Sequence, residues 1–308
     1  MSIVDLAQPG VLSDPTPHAE YLTFVLRDDA VDQEAVADAF AMLVNATKSI
    51  RQKDATAKVT STIGIGARAW PRLFPESLPP VGLDVFPELS DADRHFPSTP
   101  GDIFVMIKST RIDLNIQVAK YLCKGFAPIA KLIDDVQGFQ YLDGRDLIDF
   151  VDGTENPSGN DRRDAVLVAE GAYAGGAHLF VQAYVDRQAK WDAQSVEQQE
   201  GVIGRTKFDD IEIADDKKQP FAHNVRSKVV NAEGEEVKMY RQNRAFGNAL
   251  EHGTMFVGFA ADADVIRTSL RQMIIADADG SYDHLLDFVD ARTGAAYFVP
   301  PLALITGG

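Results

Sequence analysis

Residues 138–157 read GFQYLDGRDLIDFVDGTENP. The opening residues, 138–141, suit a short strand, and the remainder is turn chemistry. Asp-Gly and Asn-Pro dipeptides are followed by Ser158-Gly159-Asn160. A strand here decides the fold because it completes a series. Upstream, 21–26 is a short apolar run, an Asp-rich helix start leads into a periodic segment over 31–48, and 58–65 alternates as a strand. The Pro-rich stretch 71–100 reads as an extended connection, 102–107 (DIFVMI) as a buried strand and 113–126 as a helix. Strand, helix, strand, strand, helix, strand is the order of a ferredoxin-like unit with an antiparallel sheet.

Downstream of the same stretch the order recurs. Residues 177–185 (AHLFVQAYV) read as a strand, 225–240 as two strands around a turn at Asn231 to Gly234, and 254–259 (TMFVGF) as a buried strand. A helix follows over 262–275, with Asp264 at its start and Arg267 and Arg271 further along, then a closing strand at 297–299. No sequence identity links the halves, so the repeat is one of element order. The expected fold class is α+β: two ferredoxin-like domains with antiparallel sheets, 1–150 and 151–308.

Composition excludes several classes of function. With 308 residues, 45% of them hydrophobic, the chain is neither disordered nor fibrous. Its 30 basic against 46 acidic residues leave a net charge of −16, which repels nucleic acid and anionic lipid. No apolar run reaches the roughly 18 residues of a membrane span. The first 20 residues lack a cationic start and an apolar core, and read as an arm laid over the surface. The single cysteine, Cys123, cannot form an internal disulfide, and no CxxC or CxxCH occurs. A cytoplasmic protein is expected. Gly64-Ile-Gly66 lacks the third glycine of a dinucleotide fingerprint, and the six histidines include no i,i+4 pair for zinc.

Residues 138–157 also closely resemble the signature region of dye-decolorizing peroxidases, haem enzymes in which a GxxDG motif precedes T-E-N-P. The motif stands here as Asp149-Phe150-Val151-Asp152-Gly153, with Thr154, Glu155, Asn156 and Pro157 after it. Later blocks resemble the family's in the right order: Gly204-Arg205-Thr206-Lys207, His223, Arg241-Gln242-Asn243, and Thr293-Gly294 with Tyr297-Phe298-Val299-Pro300. So does 97–102 (PSTPGD). The likeness runs from Tyr21 to Leu304 and is greatest to the short bacterial, B-type branch.

This resemblance implies a haem peroxidase with haem b in the second domain, reducing hydrogen peroxide and oxidising dyes or small aromatic donors through an oxyferryl intermediate. His223 takes the position of the proximal iron ligand, and Asp283 that of the carboxylate bonded to the ligand's other ring nitrogen. Asp277, Asp279 and Asp287 compete with Asp283 in the same acidic stretch. Asp152 and Arg241 match the distal acid–base carboxylate and the charge-stabilising arginine, and Asn243 a distal amide. Arg205 is suited to a haem propionate. Asp149 and Thr154 flank Asp152 at the cofactor; Asp149 stands where the motif has glycine, so either the backbone there needs no positive φ or a tolerant residue has been accepted.

Large dyes do not reach a buried haem, which makes Trp70, Tyr184, Trp191 and Tyr240 candidate electron relays if exposed, or core residues if not. Family members commonly self-assemble, so a homo-oligomer is expected. The chain ends at Gly308 without the tail that some relatives use to enter a protein shell, and encapsulation is not expected. The alternatives are a haem-handling protein that dechelates or delivers the cofactor, and a cofactor-free ferredoxin-like binding module.

Overall fold

The computed structural model describes residues 2–27 and 31–307. The first half contributes β1 (His18–Leu26), α1 (Gln33–Lys53), β2 (Thr60–Gly66), β3 (Ile103–Ser109), α2 (Ile112–Phe126) and β4 (Ala130–Phe139). The second contributes β5 (Ala177–Asp186), β6 (Arg244–Gly247), β7 (His252–Ala260), α3 (Ala263–Ile274) and β8 (Ala295–Val299). Local chemistry sets the helix starts. Asp32 caps α1 by accepting the Glu34 N–H, and Asp262 caps α3 by accepting the Asp264 N–H. The earlier acidic residues of the expected α1 start, Asp28 and Asp29, lie outside the described residues.

The strands of the first half are ordered β4-β1-β3-β2 and those of the second β6-β7-β5-β8, all antiparallel. The halves then join at both edges: Ala245 of β6 pairs with Phe139 of β4, and Tyr297 of β8 with Gly66 of β2. Eight strands therefore close into one barrel-like sheet, which pairs edges that would otherwise be open. Side chains alternate in and out along each strand. Tyr21, Phe104, Met106, Leu179, Val257 and Phe259 fill the interior. Outside, Phe40 and Leu43 of α1 and Leu122 and Phe126 of α2 pack on Leu22, Phe24 and Val105. The second half has one long helix in place of two. Ile266, Leu270 and Met273 of α3 pack with Phe180 of β5, and the rest of that outer face lies under loops. The cavity described below opens there.

Several elements differ from the sequence reading. β4 starts at Ala130, eight residues before the expected strand, because Lys131, Asp134 and Asp135 mask its alternation. β6 was not anticipated; four residues are too few for a periodic signal. The connection 71–100 holds a helical turn, Trp70–Leu73, and a hairpin pairing Leu89–Asp91 with Arg94–Phe96. The expected hairpin in 225–240 forms, Val229–Val230 against Glu236–Val237, but as a ribbon separate from the barrel. The N-terminal stretch is no surface arm. Its two helical turns, Ile3–Leu6 and Pro9–Leu12, bury Val11 completely, and the Gln8 amide exchanges hydrogen bonds with Ile63 and donates to the Pro300 carbonyl. No helix among the described residues is long and apolar enough to cross a membrane.

Candidate active site

The loop leaving β4 is shaped by its own polar groups. The Asp146 carboxylate accepts the N–H groups of Ile148 and Phe150 at 3.2 and 2.9 Å. Asp149 adopts φ +72°, the left-handed conformation that the motif's glycine supplies freely and aspartate tolerates. The Asp152 N–H then bonds the Gly144 carbonyl at 3.1 Å, which presents its side chain to a cavity. Arg241 and Asn243 reach the same cavity from the strand edge beside β7. The Asn243 amide donates to Asp152 Oδ1 at 3.3 Å and accepts the Val257 N–H at 3.1 Å.

His223 opens a helical turn, His223–Arg226, where a strand junction was expected. Its Nδ1 lies 2.6 Å from Asp283 Oδ2, and Asp283 is wholly buried. The other Asp283 oxygen accepts the Leu285 N–H at 3.0 Å, while the Asp283 N–H donates to Met273 of α3, so the carboxylate is held from two directions. The His284 ring stacks on Phe221 at 3.9 Å, joining the two loops. Asp283 alone of the four acidic candidates contacts His223. Asp277 pairs with Arg226, Asp279 caps Ser281, and Asp287 accepts from the Tyr282 hydroxyl at 3.1 Å.

Gly204 ends the helix Val196–Ile203 with φ +88°, and a Cβ there would meet Asn224 Oδ1 at 1.9 Å. The following Arg205 lines the cavity, bonded to Asp210 at 2.6 Å and Glu155 at 2.8 Å. Thr154 lines it too and donates to Asp210 Oδ2 at 2.5 Å. Asp149 does not: its half-exposed carboxylate lies 3.4 Å from Lys207 Nζ, and the residue is absent from the cavity walls. Trp70, Trp191 and Tyr240 are core residues, and Tyr184 lines the cavity.

The cavity thus gathers Asp152, Arg241, Asn243, Arg205, Thr154 and His223 from segments up to 91 positions apart, with Asp283 behind His223. Ile203, Phe256, Leu270 and Met273 are among its apolar walls, and Lys228 and Lys238 stand with Arg205 as cations. Two further carboxylates were not found by sequence reading. Burial pushes Asp146 well above the usual carboxylate range and raises Asp186 to about 7. Neither sits in a recognisable motif of its own.

Among the described residues, no group of three or more His, Cys, Asp or Glu is placed to hold a bare metal ion. The donor set instead suits a planar, amphipathic macrocycle bearing its own iron: one imidazole with its Nδ1 committed to a carboxylate, apolar walls, and cations for acidic substituents. Together with a carboxylate–arginine pair, this is the side-chain set of a peroxidase.

Comparison with known proteins agrees. The family model described as Dyp-type peroxidase, N-terminal, matches residues 8–140, and Dyp-type peroxidase, C-terminal, matches 143–304. The chain belongs to the dye-decolorizing peroxidase family. It is 37% identical over 304 residues to the dye-decolorizing peroxidase of Rhodococcus erythropolis, covering 97% of this chain and 88% of that protein. Among solved structures, a variant of DypB from Rhodococcus jostii RHA1 in complex with haem superposes with a TM-score of 0.92 at 34% identity over 96% of both chains. The encapsulated Dyp-type peroxidase of Mycobacterium smegmatis gives 0.93, also at 34% identity, over 98% of both.

Proposed function

We propose that this chain is a haem-dependent peroxidase that reduces hydrogen peroxide and oxidises dyes or small aromatic donors, with haem b bound in the second of two ferredoxin-like units, 1–150 and 151–308. The observation that carries it is the His223–Asp283 couple at 2.6 Å inside a cavity that also holds Asp152, Arg241 and Asn243. The order β4-β1-β3-β2, matched by β6-β7-β5-β8, supports the two-unit reading. Self-assembly and a cytoplasmic location are part of the same reading, drawn from the family likeness and the composition.

Bound haem would supply the redox centre through which two oxidising equivalents pass from peroxide to a donor. His223 would hold that iron through Nε2, since Nδ1 is committed to Asp283; the buried anion makes the imidazole a stronger donor. Arg205, Lys228 and Lys238 would pair with the propionates. Asp152 is the group able to take a proton from one peroxide oxygen and deliver it to the other. The Arg241 guanidinium would stabilise the negative charge that develops as the O–O bond breaks. Asn243, bonded to Asp152, keeps the carboxylate turned into the cavity.

Absorbance of the purified protein tests the proposal. A Soret band that changes on adding one equivalent of peroxide is expected. A Soret band indifferent to peroxide would identify a haem carrier, and no band after haem addition would identify a binding module.

A further inference from the structure

Arg241 and Asn243 face the cavity, so the residues alternating with them face the other way. Those residues, Tyr240, Gln242 and Arg244, are each bonded to the N-terminal segment. The Tyr240 hydroxyl donates to the Ser13 carbonyl at 3.1 Å, and Arg244 Nε to the Thr16 carbonyl at 2.7 Å. Gln242, 1% exposed, donates its amide to the carbonyls of Gly10 and Val11 at 3.1 and 2.8 Å. Its oxygen accepts from the ammonium of Lys108, a β3 residue that is 2% exposed. Lys108 also donates to the carbonyls of Gly10, Ser13 and Asp14 at 3.1 to 3.4 Å.

Three backbone carbonyls and one amide oxygen around a buried ammonium form a network that is costly to leave half made. Nothing in the peroxidase chemistry uses Lys108 directly. The charge is nonetheless buried where it joins the interior of the barrel, the N-terminal segment and the strand carrying the distal side chains. Arg162 closes the outer side: it bonds the Leu12 carbonyl at 3.0 Å and Asp14 at 2.7 Å, with its guanidinium 4.3 Å above the Tyr240 ring.

We infer that residues 10–16, anchored on Lys108 through Gln242, are a positioning clamp that sets the placement of Arg241 and Asn243 for reaction with peroxide. Lys108 and Gln242 act through their neighbours and touch no reactant. This rests on the peroxidase reading above, but the clamp itself is a statement about the chain and can be read without haem.

The experiment compares wild type, Lys108→Met and Arg162→Met by hydrogen–deuterium exchange, with and without haem, and by stopped-flow reaction of the haem-loaded proteins with peroxide. Exchange across 240–244 should quicken in Lys108→Met in both forms. The peroxide rate should fall by about 10-fold to 10²-fold, the scale for displacing a positioned group by about 1 Å. Haem content and the KM for an organic donor should not change; general destabilisation would move them. Arg162→Met should shift exchange and peroxide rate the same way, less strongly. A folded Lys108→Met with wild-type exchange over 240–244, or with a wild-type peroxide rate, overturns the inference. If Lys108→Met does not fold, Arg162→Met decides: unchanged exchange over 240–244 overturns it, quickened exchange with a slowed peroxide rate supports it. Failure of the peroxidase reading would look different, as a wild type indifferent to peroxide.

Discussion

The Asn156 side chain closes a two-bond ring on the backbone of Arg241: Nδ2 donates to the Arg241 carbonyl at 2.8 Å, and Oδ1 accepts the Arg241 N–H at 2.9 Å. Asparagine is the smallest side chain offering both a donor and an acceptor in this way. The loop bearing Asp152 and the strand bearing Arg241 are thereby locked together, across 85 residues of sequence. Asn156→Ala leaves two partly buried backbone groups unpaired, at a cost of about 1–3 kcal/mol. Its peroxide rate should drop about 10-fold or more while haem content is kept, and Asn156→Asp, which retains the acceptor, should fall between. Stopped-flow rates beside haem titration check this.

His223→Ala should lose most retained haem, since no second imidazole is bonded to the buried carboxylate. Asp283→Asn should keep haem but weaken the iron–histidine bond and raise the ferric/ferrous potential. Asp287→Asn disturbs only the Tyr282 hydroxyl contact and should leave the potential unchanged. Resonance Raman and redox titration read both effects. Equal potentials for wild type and Asp283→Asn would assign Asp283 to capping the Leu285 turn alone.

Removal of Asp152 and of Arg241 should each slow the reaction with peroxide, by overlapping amounts. A general base is worth about 10²–10⁴ in rate and a preorganised electrostatic stabiliser about 10²–10³. Asp152→Asn and Arg241→Leu should both react slowly with peroxide while haem content is kept, as read by stopped-flow absorbance beside haem titration. A wild-type rate in Asp152→Asn would leave Arg241 to carry the step alone.

Asp149→Gly restores the motif at a backbone that sits at φ +72°. Because the carboxylate is half exposed beside Lys207 and outside the cavity, the peroxide rate should not change. Stability should change by no more than about 1 kcal/mol, the lost surface pair offsetting relief of the left-handed conformation. Denaturant titration together with stopped-flow peroxide kinetics tests both statements.

Glu20 of β1 predicts a pH dependence of stability that is independent of haem. Burial, with Asp135 beside it, raises its carboxyl from 4.5 to about 7. The folded protein therefore holds this proton more tightly than the unfolded chain. The resulting stability is fully present below about pH 4.5 and is lost as pH rises through about 7. Glu20→Gln should be more stable than wild type at pH 8, by of order 2 kcal/mol, and nearly equal to it at pH 4.5. Urea unfolding at the two pH values is the measurement.

What the sequence determined by itself was local. Apolar alternation at 102–107 and 254–259, the capping aspartates and the Asp-Gly turns each express their conformation within a few residues, so most barrel strands and the three long helices were legible. The blocks around Asp152, Arg205, His223 and Arg241 also stood out, through their likeness to a family. Only the tertiary structure decided how the halves meet, because β6 is four residues long and its pairing with β4 depends on a partner strand more than 100 positions away. The structure likewise set Asp283, the one of four acidic residues that the family likeness favours, against His223, left Asp149 outside the cavity walls, and bonded the N-terminal stretch to the strand of Arg241. In each case the deciding force is a hydrogen bond or ion pair between groups far apart in the chain. Such a bond depends on the closed barrel holding its partners together away from water, and one-dimensional spacing carries no trace of it.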